Sequence, residues 1–469
     1  MPWPQLAIVF TAQGSGAAAG GGDSPSLASV VAPYMLVFFA AFFVAIASTP
    51  ILRRLAIRNG IVDVPDLKRK NHVTPVAYLG GVAIMLGWLA GVAVSYFIEP
   101  HNTGTAGIHL QRVVFPLAVI LGAGAIVLTG LFDDVYGMSP LVKIGGQLFA
   151  AAALASQNVG IRLIEGAFAV LHVEPASILG AEPASMLIYT LGTAVIAVFV
   201  IGGCNAVNLL DGLDGLAAGV VALAVMGFLI LAAIVAIKGE GTGFEGLVNH
   251  PVRIVMCLAI LGGVLGFLPY NYNPATIFMG DAGSLLLGYL GVATILMFAD
   301  VHLKYVTASL IIFALPIIDT LLAMIRRKVR GQPLTAPDDG HIHHQLRRRG
   351  LTVRQAVSVI YAAQILFAAV GVTLVAVDTQ WRYVMAVFCV IYGSVIAFGY
   401  NLATRDAALD KLRRAEGRPL DADFPSPHEP ALPEDPTHGP ASDDAETDAT
   451  SPAAKPAPPM PSPDAVRGL

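Results

Sequence analysis

Apolar stretches near the length of about 20 residues that a helix needs to cross a bilayer recur along this chain. Candidates stand at about residues 31–52, 78–98, 113–131, 141–156, 185–203, 216–237, 252–270, 281–299, 305–325, 354–376 and 382–403. The expected fold is therefore an all-α polytopic integral membrane protein with about 11 transmembrane helices. Composition agrees, since 55% of the 469 residues are hydrophobic and 13% charged, well outside the range of a soluble domain. Cys204, Cys257 and Cys389 all lie within or beside apolar segments, so they indicate neither a disulfide framework nor a zinc site.

The formal charge of -4 averages two unlike regions. Residues 421–469 hold ten acidic and two basic residues together with twelve of the 31 prolines, a composition that cannot bury enough apolar surface to fold. The expected organisation is a flexible segment over 1–30, a membrane domain over 31–403, and a tail over 404–469 that is disordered from about 421. The first connecting loop carries Arg53, Arg54, Arg58, Lys68, Arg69 and Lys70, and the ninth carries Arg326, Arg327, Lys328, Arg330, Arg347, Arg348 and Arg349. Even-numbered loops are poor in Lys and Arg, which puts the odd loops and the C-terminus in the cytoplasm and the N-terminus outside.

Every polar cluster of note falls on an odd loop. The densest runs from Asn205 to Gly215, where Asn205, Asn208, Asp211 and Asp214 recur at a spacing of three. Each neighbouring pair shares a helix face, and Gly212 and Gly215 let the backbone leave helical geometry. Carboxylates at a membrane edge are costly unless they face water, a cation or a substrate. The alternative is a solvated loop joining two spans.

Asp133 and Asp134 follow the third span, with Lys143 and Gln147 further on. Adjacent carboxylates repel, so the pair calls for a divalent cation, a lysine or a shared proton; a helix end with a turn is the simpler alternative. Asp281 opens the eighth span between Gly280 and Gly283. It reads either as a helix cap, as does Ser284, or as a carboxylate where a diphosphate and its magnesium ion would meet. Phe278 just before it suits stacking on a base or ordinary packing. His341, His343 and His344 sit among arginines, which suits phosphate contacts better than a closed zinc site. No Gly-Lys dipeptide occurs, which excludes a P-loop. Asp319 is the clearest charge inside a span, too little for an ion path.

Together these residues resemble the polyprenyl-phosphate N-acetylhexosamine-1-phosphate transferase family over about residues 50–350. The motifs are Asp63-Val-Pro with Arg69-Lys70-Asn-His72 and Gly80-Gly81, Phe132-Asp133-Asp134, Asn205 through Gly215, Phe278-Met-Gly-Asp281-Ala-Gly-Ser284, and Asp338 with His341-Ile-His343-His344. Departures are Val76-Ala-Tyr-Leu where Pro-Arg is frequent, and Asp339 where a basic residue is common.

The resemblance implies transfer of a sugar phosphate from a UDP-N-acetylhexosamine to undecaprenyl phosphate, with release of UMP. It implies Asp281 as the leading ligand of Mg2+, with Mn2+ as a substitute, and Asp133 as base or orienting group supported by Asp134. Asn208, Asp211 and Asp214 would hold nucleotide and diphosphate, Phe278 would stack on uracil, and His341, His343 and His344 would contact phosphates, with Lys143 a further phosphate candidate. Membrane lipid and a second copy in a homodimer are the other expected partners, and nucleic acid is not. The His-Ile-His-His form resembles the N-acetylglucosamine branch, an enzyme of surface glycan synthesis in the cell membrane. The alternatives are a phospho-N-acetylmuramoyl-pentapeptide transferase and, from another class, a secondary transporter.

Overall fold

The computed structural model describes residues 26–63, 75–98, 113–240, 250–333, 336, 338 and 340–415. Lys68, Arg69, Lys70, His72, Asp339 and the acidic tail from 421 lie outside the described residues.

The described residues are helical almost throughout. They begin with α1 (Leu27–Val31), inside the segment expected to precede the first span, and α2 (Met35–Arg58). A hairpin of β1 (Val62–Asp63) and β2 (Val76–Ala77) follows, pairing Val62 with Ala77 and Asp63 with Val76. This short hairpin is an addition to a fold that is otherwise helical, as expected. Strands of two residues are too short to show the alternation by which strands are recognised.

Next come α3 (Gly80–Ser95), α4 (Leu117–Tyr136), α5 (Pro140–Ser156), α6 (Arg162–Val170), α7 (Pro175–Leu179) and α8 (Ala181–Leu210). The remainder is α9 (Leu216–Ile237), α10 (His250–Asn271), α11 (Gly280–Met297), α12 (Leu303–Ile312), α13 (Ala314–Val329), α14 (Ile342–Arg348), α15 (Val353–Ala376) and α16 (Trp381–Ala415).

Eight helices among the described residues are long and apolar enough to cross a membrane, or nine if the bent pair α12 and α13 forms one span. The apolar helices α3 and α5 are shorter, at 16 and 17 residues. The chain is a polytopic membrane protein. Apolar side chains such as Leu141, Phe149, Val198 and Phe398 point outward, as a lipid solvent requires.

At the centre is α11, whose apolar window is buried along its whole length. It packs against α3, α4, α8 and α9. Small residues permit this: a Cβ at Gly288 would meet the backbone of Gly203 and Cys204, and one at Gly130 the backbone of Asp281 and Ala282. Close backbone approach is how helices associate where lipid removes the hydrophobic drive.

The ninth expected span is not one straight helix. It breaks at Phe313, and α12 and α13 meet at 71°. Pro316 has no N–H for the Ile312 carbonyl, and the buried Gln364 of α15 donates to that carbonyl instead, at 2.7 Å.

Candidate active site

Four chain segments remote in sequence converge at one end of the bundle: the end of α4, the α8–α9 turn, the α10–α11 loop and α14. Between them lies a cavity of about 410 Å³, walled by Asp134, Asn208, Asp211, Asp214, Asp281 and His344 among others. Such a volume suits a small molecule or part of one.

The start of α11 is built from outside. Both oxygens of the Asp134 carboxylate accept backbone N–H groups of its first turn, Asp281 at 2.7 Å and Ala282 at 3.1 Å. Asp134 thus caps α11 from α4, satisfying two of the amides that every helix N-terminus leaves unpaired. Gly280 makes this possible, since its φ is +66° and a Cβ there would strike the Asp134 carboxylate. Asp281 is therefore not the cap, and its side chain faces the cavity.

Two groups hold Asp281. Lys143 Nζ lies 2.6 Å from Asp281 Oδ2 and 2.6 Å from Asp133 Oδ2. Asn208 Nδ2 donates to Asp281 Oδ1 at 2.9 Å and to Ser284 Oγ at 2.9 Å. Lys143 is thus the cation that offsets Asp133 and Asp281, while Asp134 is met by the backbone amides of α11. Asp133 stands behind it, off the cavity wall, with its other oxygen accepting the Met138 N–H at 2.7 Å.

Helix α8 ends at Leu210, and Asp211 to Gly215 turn into α9. The Asp211 carboxylate lines the cavity and accepts no hydrogen bond among the described residues. Burial, then the nearby charges of Asp281, Asp134 and Asp214, push its carboxyl up to about 8. Asp214 is occupied otherwise, since its Oδ2 accepts from Asn273 Nδ2 at 2.9 Å and from the Ala275 N–H at 3.0 Å. The buried Asn271 joins the same two segments, accepting from Gly215 N–H and donating to the Ile277 carbonyl, both at 3.1 Å. Asn205 points elsewhere, donating to Gln147 Oε1 at 3.1 Å.

The histidines divide. His344 lines the cavity. His341 is buried, with Nδ1 2.8 Å from Asp319 Oδ2, and His343 is 2% exposed with its imidazole against Gly212. Burial, then the neighbouring His344, lowers His343 to about 3, so it is neutral. Asp338 would be raised by burial, but its ion pair with Arg326 holds it below the ordinary carboxylate range.

Phe278 lines the cavity, and so do Asp63 and Tyr78, which the sequence reading did not single out as site residues. The Phe278 and Tyr78 ring centroids are 6.2 Å apart. Burial, then Asp63, raises the Tyr78 phenol well above its ordinary value. The segment that carries Phe278 is fixed to β2 by Phe278 N–H donating to the Ala77 carbonyl at 2.8 Å. Asp63 opens the Asp63-Val-Pro motif, whereas Tyr78 lies in the Val76-Ala-Tyr-Leu segment that departs from the family pattern.

Among the described residues, no three His, Cys, Asp or Glu side chains are grouped to enclose a metal ion. The donor set still fits magnesium, which uses one or two carboxylates and takes its other ligands from water and substrate phosphates. Asp211, whose carboxylate accepts no hydrogen bond among the described residues, and Asp281 on the same wall could supply those carboxylates.

Residues 116–299 match glycosyl transferase family 4. The chain is 34% identical over 366 residues to a protein of Bacillus subtilis named as a probable undecaprenyl-phosphate N-acetylglucosaminyl 1-phosphate transferase, covering 77% of this chain and 91% of that one. It is 32% identical to the decaprenyl-phosphate N-acetylglucosaminephosphotransferase of Mycobacterium tuberculosis, covering 70% and 78%. It is also 32% identical to the phospho-N-acetylmuramoyl-pentapeptide-transferase of Geobacillus kaustophilus, covering 69% and 90%.

Proposed function

Because the chain belongs to glycosyl transferase family 4, alongside polyprenyl-phosphate N-acetylglucosamine-1-phosphate transferases, we propose that it moves N-acetylglucosamine-1-phosphate from UDP-N-acetylglucosamine to undecaprenyl phosphate. The observation that carries this reading is the shared cavity, where Asp211 and Asp281 face an aromatic pair, Phe278 and Tyr78. That pairing of charge and aromatic faces suits a nucleoside diphosphate sugar.

In this reaction an oxygen of the lipid phosphate attacks the β-phosphorus of the donor, and the bond from that phosphorus to the bridging oxygen breaks. UMP leaves with the bridging oxygen. Phosphoryl transfer of this kind depends on in-line positioning and charge neutralisation. Asp281 and Asp211 would hold magnesium, which when bound neutralises diphosphate charge. Asn208 fixes the Asp281 carboxylate, Lys143 offsets Asp133 and Asp281, Phe278 stacks on uracil, and His344 donates to a phosphate oxygen. A phosphate monoester loses its second proton near pH 6, so the acceptor needs orientation more than a base.

The Lys- and Arg-rich loops support a cytoplasmic position for this cavity in the cell membrane, with the N-terminus outside. The nucleotide then arrives from the cytoplasm and the lipid from the bilayer. Family membership sets aside the transporter alternative. The test is a donor panel, with purified protein, magnesium and undecaprenyl phosphate offered UDP-N-acetylglucosamine or UDP-N-acetylmuramoyl-pentapeptide. Turnover of the first supports the proposal; turnover of the second alone assigns the chain to the muramoyl branch.

A further inference from the structure

One buried charge has no part in the chemistry above. Asp319 of α13 is 1% exposed, and a carboxylate inside a membrane span is costly unless its oxygens are bonded. Both are bonded, and both to the start of α14. Oδ2 lies 2.8 Å from His341 Nδ1, and Oδ1 accepts the Ile342 backbone N–H at 3.0 Å. A carboxylate only accepts, so His341 donates from Nδ1.

The far side of His341 faces a second carboxylate. Its Nε2 is 4.0 Å from Asp338 Oδ2, and Asp338 is held by Arg326 Nη2 at 2.5 Å, from the same helix as Asp319. From this anchor α14 leads to the cavity through His344. His343 stacks at 5.8 Å on His341 and presses against Gly212, where a Cβ would strike its imidazole. His344, with its ring centroid 4.2 Å from that of His343, lines the cavity. A helix of seven residues is too short to persist alone, so its position is set by what grips it.

We infer that Asp319 is a positioning residue, which acts through His341 and α14 to set His344, and with it the Asp211–Gly212 turn, in the cavity. The bend at Phe313 contributes by turning α13, and Asp319 with it, out of line with α12. The inference rests on the transferase reading, in which His344 contacts the donor phosphates.

A double-mutant cycle tests it. Asp319→Asn keeps an oxygen for the Ile342 N–H but can turn an amide toward the His341 donor. In the transfer assay it lowers kcat/KM by about 10–100-fold, the scale of a displacement of about 1 Å at a reacting group. In a His344→Ala background the same change costs less than about threefold, because coupled residues are non-additive. Asp319→Glu, which keeps the carboxylate, recovers part of the loss. Full activity in Asp319→Asn, or an equal loss in both backgrounds, overturns the inference. Should Asp319→Asn not yield monodisperse protein, His341→Leu removes the donor from the other side; its loss must also vanish in the His344→Ala background, and additivity there is equally fatal. Wild-type protein that transfers nothing from any UDP-sugar would defeat the functional reading instead.

Discussion

The Asp134 carboxylate of α4 accepts the backbone N–H of Asp281, the second residue of α11, at 2.7 Å. This bond decides what Asp281 can do. With the amides of its own helix capped by another residue, the Asp281 carboxylate is released to Lys143, Asn208 and the cavity.

Removing the cap should therefore cost both stability and activity. Asp134→Ala is expected to destabilise the protein by about 1–2 kcal/mol, the range for losing a helix cap, and to reduce turnover by displacing Asp281. Gly280→Ala should act in the same direction through a collision with the Asp134 carboxylate. Apparent melting temperature and transfer rate in one detergent check both variants.

Asp214 is expected to act on substrate binding through the α10–α11 loop. Asp214→Ala deletes the acceptor of two hydrogen bonds from Asn273 and Ala275, each worth about 1 kcal/mol, and loosens the segment that carries Phe278. The donor KM should rise with a smaller change in kcat. A fall in kcat at unchanged KM would place Asp214 at the reacting phosphates instead.

Lys143→Met leaves Asp133 and Asp281 facing each other without their shared ammonium. Turnover should fall by about a hundredfold, the scale for losing one preorganised charge at a phosphoryl-transfer site. Lys143→Arg should retain more activity than Lys143→Met, as steady-state kinetics would show.

His343 should make the fold acid-sensitive. Its native pKa, lowered by burial to about 3, is below the value near 6.5 of an unfolded chain. Between those values the unfolded state binds the extra proton, so stability falls as pH drops from about 6.5 toward 3, by about 1.4 kcal/mol per pH unit at most. Above pH 6.5 the contribution is constant. Melting temperature measured from pH 7 to 4.5 should decline less steeply in His343→Gln than in wild type; parallel curves would show that His343 does not titrate this way.

Much of this arrangement was legible in the chain because lipid demands long apolar runs and leaves polar residues conspicuous at their ends. Asn208, Asp211, Asp214, Phe278 and Asp281 stood out for that reason, and all line the cavity. Their division of labour was not legible, because it depends on partners distant in sequence. Asp134 caps a helix 147 residues further on, and Asp214 ties down a loop 59 residues away. His341, His343 and His344 looked alike as three ring donors, yet packing against Asp319 and Gly212 buries two of them and leaves His344 at the cavity. Tyr78 follows a strand of two residues, too short to announce itself by alternation. The bend at Phe313 has a local signal in Pro316, but a proline within an apolar run also fits a straight or gently kinked span.

The most direct test follows the β-phosphate of the donor. UDP-N-acetylglucosamine labelled at that phosphorus is mixed with purified protein, magnesium and undecaprenyl phosphate. The label should pass to the lipid together with the sugar, with one UMP released for each lipid product, and Asp281→Asn should abolish both. Release of labelled UDP would mean that the sugar alone is transferred, and would contradict phosphoglycosyl transfer in this cavity.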